Sequence, residues 1–353
     1  MVDVVIIGGG IAGLRVAGLL EEQGIEVRVL EARERVGGRL HSVAQGAGVI
    51  DVGATWFWSH EKHVTSLIDE LGLETHDQHI DGDAVYHDPA GSQRIDGNPI
   101  DVPAGRFTGG AQLLAERLAA RLRTGTIETG RIATAIHVNR DGLAVETNDG
   151  QRRARHVVLA LPPALASHTI SFEPQLPAPF PDLIAQTPVW MGNVVKVVVT
   201  YEHAFWRDGG LAGAAISHVG PLREVHDMSG ANGEPAALFG FAPMVTPGTP
   251  TPTEAAVVAQ LVEMFGPSAG EPTSVHIADW RTEAHTSPPG VELLRNHALF
   301  GHPAWDTPIY DGRLHWASTE TSPVSPGHID GALARAETIA TRINALVGPD
   351  ALR

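Results

Sequence analysis

The sequence predicts a mixed α/β fold that begins with a βαβ unit. Residues 2–7 are a continuous apolar run, which is typical of a strand buried on both faces of a sheet. A glycine-rich turn at residues 8–13 follows, and apolar residues at helical spacing continue to residue 23. A second apolar strand is expected at residues 26–30, ending at Glu31. This order of strand, helix and strand within about thirty residues is that of a parallel βαβ unit.

The glycines of the turn are spaced as dinucleotide binding requires. Gly8 permits a sharp turn from strand to helix, Gly10 lets the backbone approach a pyrophosphate, and Gly13 lets the helix pack close to the strand. The N-terminus of the helix then presents unpaired N–H groups and a partial positive charge to the phosphates. Glu31 stands at the end of the second strand, where its carboxylate can accept both ribose hydroxyls.

Later segments predict a β-meander, a second sheet and flanking helices. Residues 127–161 alternate in polarity, and Asp141-Gly142 and Asp149-Gly150 are hairpin signals within them. The segment over residues 76–106 is rich in Gly, Pro and Asp and predicts an irregular loop. Further strands are expected over residues 194–201, 236–241, 275–280 and 314–317, and helices over residues 61–71, 110–122, 253–265 and 329–347.

Charge and composition argue against several classes of protein. The formal net charge of -16 disfavours nucleic-acid binding, because phosphates demand a basic surface. No apolar stretch is long enough to cross a bilayer and no signal peptide is visible, so we expect a cytoplasmic protein without a membrane partner. His60 and His63 do not have the spacing of a zinc motif, and no metal site is expected.

The residues that follow Glu31 make the motif more specific. The stretch Ala32-Arg33-Glu34-Arg35-Val36-Gly37-Gly38-Arg39 resembles one that the flavin-dependent amine oxidase superfamily, the monoamine oxidase-like group, carries beside FAD. The resemblance continues in the same order along most of the chain, at residues 51–56, 109–113, 157–163, 194–206, 280, 316–321 and 327–332. Several motifs in one order are far more specific than a single glycine turn.

The resemblance implies an FAD-binding domain and a smaller substrate domain. The Rossmann-like FAD-binding domain would be discontinuous and comprise residues 1–73, 108–185 and 281–353. The substrate domain, a β-sheet with flanking helices, would comprise residues 74–107 and 186–280. FAD is expected to be held without a covalent bond, and a link through cysteine is impossible because the chain has no cysteine.

The cofactor contacts implied by the resemblance are spread over the whole chain. Arg33 and Arg39 would contact the adenine end and the pyrophosphate, since a planar guanidinium group suits phosphate oxygens. Glu320 would meet the ribityl or phosphate region, and the helix that begins near Ile329 would aim N–H groups at the flavin ring. The remaining expected contacts are Gly8, Gly10, Gly13, Glu31, Ala32, Gly38, Gly53, Ala54, Thr55, Trp56, Ile132, Leu165, Trp280, Ser318 and Thr319.

Two residues are candidate catalytic groups. Lys196 interrupts an apolar strand, where burying an ammonium group is costly, and its counterpart in the family hydrogen-bonds a water beside flavin N5. His328 takes the position of one of the two tyrosines that flank the amine in monoamine oxidases, and could hydrogen-bond the substrate or act as a base. The alternatives are that Lys196 faces outward from the strand and that His328 is a structural histidine at the start of a helix.

The resemblance implies an FAD-dependent oxidoreductase that oxidises a C–N bond of a small amine to an imine. Hydride transfer to flavin N5 and reoxidation by oxygen to give hydrogen peroxide would complete the reaction. Two alternatives stay open: a flavin dehydrogenase or desaturase acting on another C–N or C–C bond, and a catalytically decayed FAD-binding protein. The segment between residues 73 and 109 is short for the family, which predicts a reduced cap over the substrate, and the oligomeric state stays open.

Overall fold

In the computed structural model, which describes residues 1–243 and 248–347, two large sheets carry most of the chain. In chain order the strands are β1 (Val2–Ile7), β2 (Val27–Leu30), β3 (Ser42–Gln45), β4 (Gly48–Asp51), β5 (Trp56–Phe57), β6 (Thr75–Asp77), β7 (Asp83–Asp88), β8 (Gly91–Ile95), β9 (Gly105–Phe107), β10 (Ile127–Glu128), β11 (Ala133–Asn139), β12 (Gly142–Thr147), β13 (Gly150–Leu159), β14 (Ser171–Glu173), β15 (Val194–Tyr201), β16 (Leu211–Ser217), β17 (Glu224–Asp227), β18 (Ala236–Pro243), β19 (Ser274–Asp279) and β20 (Leu314–Trp316). The helices are α1 (Ile11–Glu22), α2 (Lys62–Leu71), α3 (Gln112–Arg121), α4 (Pro163–Thr169), α5 (Phe180–Gln186), α6 (Phe205–Asp208), α7 (Glu254–Phe265) and α8 (Ile329–Val347).

The first large sheet is built around β1, which pairs in parallel with β2 on one side and with β13 on the other. Successive side chains of a strand point to opposite faces. Val4 and Ile6 accordingly pack in a cluster with α1, α3 and α8, whereas Val5 and Ile7 pack in a second cluster with the meander and Trp316. The mixed α/β fold with a Rossmann-like βαβ unit is therefore confirmed.

The meander consists of β11, β12 and β13, which pair antiparallel in sequence order. Asn139 pairs with Gly142 and Thr147 pairs with Gly150, so each hairpin turns through two residues. Both turns lie at the predicted hairpin signals. Because β13 continues into the parallel pairing with β1, the meander extends the sheet that starts the chain.

The second large sheet has the strand order β19-β15-β18-β17-β16-β7-β8. Its strands lie within residues 83–95 and 194–279, inside the two ranges assigned to a substrate domain. A three-stranded sheet, β5-β9-β6, joins strands from both sides of the boundary expected after residue 73. Residues 244–247 and 348–353 of the expected domains lie outside the described residues.

The prediction of an irregular loop over residues 76–106 is wrong. β7 and β8 form a hairpin there that extends the second sheet through β16, and β9 pairs with β5 and β6. The hairpin has polar, solvent-facing residues, and Ser92, Gln93 and Arg94 in β8 are all exposed. Without a buried face, β8 lacks the alternation of apolar residues by which a strand is recognised in a sequence.

A buried pair of histidines joins β13 to β20 within the first sheet. His156 Nδ1 and His315 Nε2 lie 3.2 Å apart, so one neutral ring donates its N–H to the other. Burial lowers the pKa of both rings, and the pKa of His315 falls to about 3. Both histidines are therefore neutral in the folded protein at neutral pH.

Acid should weaken the fold through His315. The unfolded state takes up a proton below its ordinary pKa of about 6.5, whereas the folded state does not until about pH 3. The stabilisation is thus complete above about pH 6.5 and is lost as the pH falls, by roughly 2 kcal/mol between pH 7 and pH 5. Urea unfolding across this range should show a steeper loss for the wild type than for His315→Asn. Parallel pH profiles of the two proteins would contradict the assignment.

Candidate active site

A cavity of about 520 Å³ runs between the two large sheets. Its walls come from the turn between β1 and α1, the end of β2, the strands of the second sheet, and the segment that leads into α8. All the predicted site residues line this cavity except Gly13 and Glu320. The structure thus brings together groups that are more than three hundred residues apart in the chain.

The glycine turn has the geometry that the sequence predicts. Gly8 has a φ of +110°, and a Cβ there would lie 2.6 Å from the carbonyl oxygen of Ala160. A Cβ on Gly13 would lie 2.0 Å from the Gly8 oxygen, so Gly13 serves the packing of α1 on β1 and does not face the cavity. A Cβ on Gly10 would meet nothing nearer than the Gly37 oxygen at 3.9 Å. The space beside Gly10, at the N-terminus of α1, is open to a ligand.

Glu31 is held rigidly at the edge of this space. The side chain is buried, its Oε2 accepts a hydrogen bond from Gly9 N at 2.7 Å, and its Oε1 accepts one from Arg33 N at 2.8 Å. Each carboxylate oxygen keeps a further acceptor position. The carboxylate can therefore receive two neighbouring hydroxyl groups while the backbone fixes its orientation.

Two arginines of the wall are each paired with a carboxylate. Arg39 forms a bidentate pair with Glu320, at 2.6 Å and 3.1 Å, and Trp190 N also donates to Glu320. Arg33 pairs with Glu283 at 2.7 Å. Glu320 is fully buried behind Arg39, so it positions that guanidinium group and does not itself line the cavity.

These features fit a dinucleotide cofactor. The cavity offers a helix N-terminus for a pyrophosphate, a carboxylate for ribose hydroxyls and two guanidinium groups beside them. The hydroxyl oxygen of Ser318 is buried in the wall and has no hydrogen-bond partner among the described residues. Because buried polar atoms are rarely left unpaired, this hydroxyl marks a place for a polar atom of the ligand.

Lys196 extends from β15 into the same cavity and is only 2% exposed. Its Nζ donates to Gly53 O at 2.8 Å and to the hydroxyl of Thr55. It also lies 4.5 Å from the centre of the Phe239 ring, within the range of a cation–π contact. The side chain faces inward, as the functional interpretation of the sequence requires.

The environment of Lys196 lowers its pKa to about 7. Burial is the largest cause, because it penalises the charged form, and the cationic Arg106 acts in the same direction. The carboxylate of Asp51 opposes both, but burial also raises the pKa of Asp51. Within the described residues no carboxylate is in salt-bridge contact with Lys196, whose partners are uncharged oxygens.

His328 lies in the cavity wall beside groups that the sequence did not predict. Its Nδ1 is 2.6 Å from Oε1 of Glu61, and the Glu61 side chain is 1% exposed. The indole rings of Trp58 and Trp190 lie 5.2 Å and 6.1 Å from the imidazole. Aromatic rings thus surround the position that the resemblance assigns to a family tyrosine.

Glu224 is a further cavity residue that sequence reasoning missed. In the antiparallel sheet Phe241 pairs with Lys196 on one side and with Glu224 on the other. Directly opposite residues place their side chains on the same face, and all three line the cavity. Neighbouring strands are about 4.8 Å apart, so the backbone positions of Glu224 and Lys196 lie about 10 Å apart across the sheet.

Two further properties of the described residues concern ligands and membranes. Over residues 1–243 and 248–347, no helix combines the length and apolar character needed to span a bilayer. In the same part of the chain, no three His, Asp or Glu side chains are grouped so that they could hold a metal ion.

Known proteins resemble the chain along nearly its full length. A probable flavin-containing monoamine oxidase A of Dictyostelium discoideum is 24% identical over 444 positions, which cover 94% of this chain and 95% of that protein. A putrescine oxidase of Kocuria rosea is 25% identical and is matched over 97% of this chain and 95% of its own length. The first alignment is longer than the 353 residues of this chain, so that relative carries segments that this chain lacks.

Solved structures share the fold. A putrescine oxidase bound to putrescine superposes with a TM-score of 0.84 at 23% identity, covering 98% of this chain and 99% of that chain. The cyclohexylamine oxidase from Brevibacterium oxydans IH-35A gives 0.83 at 23% identity, covering both chains completely. The family model described as flavin containing amine oxidoreductase matches residues 11–108 and 86–344. The chain therefore belongs to the flavin-containing amine oxidoreductase family and is a flavin-dependent oxidoreductase.

Proposed function

We propose that the chain is an amine oxidase that binds FAD without a covalent bond and uses oxygen as its electron acceptor. The observation that carries this proposal is the continuity of one cavity, which is lined by Gly10 and Glu31 and also by Lys196 and His328. Gly10 and Glu31 would hold the nucleotide part of FAD, and the rest of the cofactor would then lie toward Lys196 and His328. A flavin supplies the two-electron redox chemistry when it is bound.

In the proposed reaction the substrate loses a hydride from the carbon beside its nitrogen and becomes an imine, which water hydrolyses. Oxygen receives the two electrons and leaves as hydrogen peroxide. The protein's part is to place the substrate and to tune the charge around it. Trp280, whose Nε1 donates to Val52 O at 2.9 Å, is a fixed part of the wall beside Lys196.

The chemistry of the cavity supports a cationic or amine-bearing substrate. Glu224 supplies a carboxylate, His328 supplies an imidazole, and Trp58 and Trp190 supply aromatic faces, all of which favour an amine. The proteins with similar folds are named as oxidases of putrescine and cyclohexylamine. These observations favour an amine over a substrate with a C–C bond to be desaturated.

The proposal predicts a yellow purified protein that amines bleach. Butylamine, benzylamine, cyclohexylamine and 1,4-diaminobutane form a panel for anaerobic stopped-flow measurements, and at least one should reduce the flavin. Air should then restore the colour and consume one oxygen per amine. A protein that bleaches but reoxidises slowly is a dehydrogenase, and one that takes up no FAD is not an amine oxidase.

Lys196 is expected to control the reaction with oxygen. Because its pKa is about 7, the side chain is cationic below this pH and neutral above it. A nearby cation favours the negative charge that oxygen gains on reduction. The reoxidation rate should therefore fall as the pH rises through 7, and Lys196→Met should lower it at pH 6 by at least about tenfold. Lys62→Met, which changes the other lysine of the chain, is the control, and equal rates in both variants would remove this role.

Glu224 is expected to select amines that carry a second cation. A diamine oxidised near Lys196 would place its distal ammonium group along the row that leads to this carboxylate. Glu224→Gln should raise KM for 1,4-diaminobutane about tenfold and change KM for butylamine little, because butylamine has no second charge. Steady-state kinetics with both substrates measure the ratio. An equal change in KM for the two amines would show that Glu224 does not bind the second ammonium group.

A further inference from the structure

The contact between Glu61 and His328 is built to hold one orientation. Oε2 of Glu61 accepts a hydrogen bond from Trp58 N at 3.0 Å, while Oε1 lies 2.6 Å from His328 Nδ1. Glu61 is buried at the start of α2, where the helix N-terminus favours a negative charge. Its carboxylate is therefore fixed on one side by the backbone and on the other by the imidazole.

The two elements that carry this pair are tied to each other. Asp330 in α8 accepts hydrogen bonds from His63 N at 2.7 Å and Val64 N at 3.1 Å, and so satisfies the free N–H groups at the start of α2. The backbone of His328 is held as well, because Thr319 Oγ1 donates to its carbonyl at 2.9 Å. The short distance between Glu61 and His328 is thus set by the fold around it.

This arrangement fixes which nitrogen of His328 carries the proton. A carboxylate only accepts hydrogen bonds when it is charged, so the ring donates from Nδ1. In the neutral imidazole Nε2 is then bare, and among the described residues it has no hydrogen-bond partner. The ring lines the cavity and its side chain is 36% exposed, so the bare nitrogen is available to a ligand.

We propose that Glu61 is a positioning residue that keeps Nε2 of His328 unprotonated, so that this nitrogen can accept a proton from the nitrogen of a substrate amine. An amine enters at neutral pH as an ammonium ion and must lose one proton before its carbon can give up a hydride. The proton passes from the substrate nitrogen to Nε2 of His328. The N–H bond of the substrate breaks, and an N–H bond forms on the imidazole ring. The imidazolium ion is then compensated by the Glu61 carboxylate. This inference rests on the proposed amine oxidation.

Three charged side chains near His328 or in the cavity wall already have other partners. Asp330 is committed to the start of α2, and His63 is paired with Glu337 at 2.8 Å on the outer side of the same helices. Lys196 lines the cavity but is held by Gly53 O and the Thr55 hydroxyl. Among these groups, His328 alone combines a place in the cavity wall with a free acceptor atom.

The pair between His63 and Glu337 provides a matched control. Glu61→Gln keeps the shape of the side chain but allows its amide to donate to Nδ1, which releases the ring to carry its proton on Nε2. We expect kcat/KM for the fastest amine of the panel to fall at least about tenfold in Glu61→Gln, with the flavin spectrum unchanged. Glu337→Gln alters an equivalent histidine–carboxylate pair outside the cavity and should keep the wild-type rate.

A second variant separates positioning from packing. Glu61→Asp keeps the acceptor but shortens the side chain, so it disturbs packing more than Glu61→Gln does. If the tautomer matters, Glu61→Asp retains more activity than Glu61→Gln. If Glu61 only fills space, the order is reversed, and that result would overturn the proposal.

The tautomer of His328 can be measured without enzyme turnover. The ¹⁵N spectrum of the holoprotein labelled at histidine distinguishes protonated from bare ring nitrogens, and loss of a signal in His328→Asn assigns this residue. The wild type should show His328 protonated at Nδ1 and bare at Nε2. A proton on Nε2 would refute the inference even if amines are oxidised. A correct tautomer in a protein that no amine reduces would instead refute the proposed function.

Discussion

The close approach of α1 to β1 is the contact on which the rest of the site depends. The Cα of Gly13 lies so near the Gly8 oxygen that a Cβ would be 2.0 Å from it, and any side chain would push the helix away from the sheet. The position of α1 in turn sets where its N-terminus opens beside Gly10. α8 packs against α1 in the same core cluster, so the segment that brings His328 to the cavity takes its place from the same contact.

Two further contacts join distant parts of the chain to this frame. Glu320 lies 281 residues from Arg39 in the chain, and its two carboxylate oxygens accept hydrogen bonds from the two terminal nitrogens of the Arg39 guanidinium group. The loop before α8 is thereby fixed against the end of the βαβ unit. Asp330 reaches the start of α2 by accepting hydrogen bonds from the backbone N–H groups of His63 and Val64. Removing Arg39 would leave the fully buried Glu320 carboxylate uncompensated, at a cost of about 3–5 kcal/mol. These contacts hold the walls of the cavity at a fixed separation.

The sequence predicts the glycine turn and the elements around it well because they depend on local backbone geometry. Gly13 is required by its contact with the Gly8 oxygen within one turn and Gly8 by its φ of +110°, and such local requirements leave a readable spacing. The second strand, the meander turns and the long closing helix follow from local patterns for the same reason. The hairpin of β7 and β8 was missed because neither of its strands carries a continuous apolar face.

The substrate side could not be predicted to the same depth. Glu61 meets His328 across 267 residues, and nothing near either residue indicates the pairing. Glu224 comes to the cavity only through the register of three antiparallel strands. Trp58 had a weak signal, since it lies two residues beyond Trp56 and could share its face. Side-chain constellations of this kind arise from tertiary packing, which a single sequence does not display.

The distribution of charge along the cavity follows one rule. At the end beside Gly10, Arg33 and Arg39 each face a carboxylate, so the cost of burying their charges is offset within the protein. At the other end Lys196 is surrounded by uncharged oxygens and an aromatic ring, so its charge is poorly compensated and its pKa falls to about 7. A group in this state responds to any charge that appears beside it. The paired charges therefore lie where a ligand would only be held, and the responsive group lies where the proposed reaction would exchange electrons and protons.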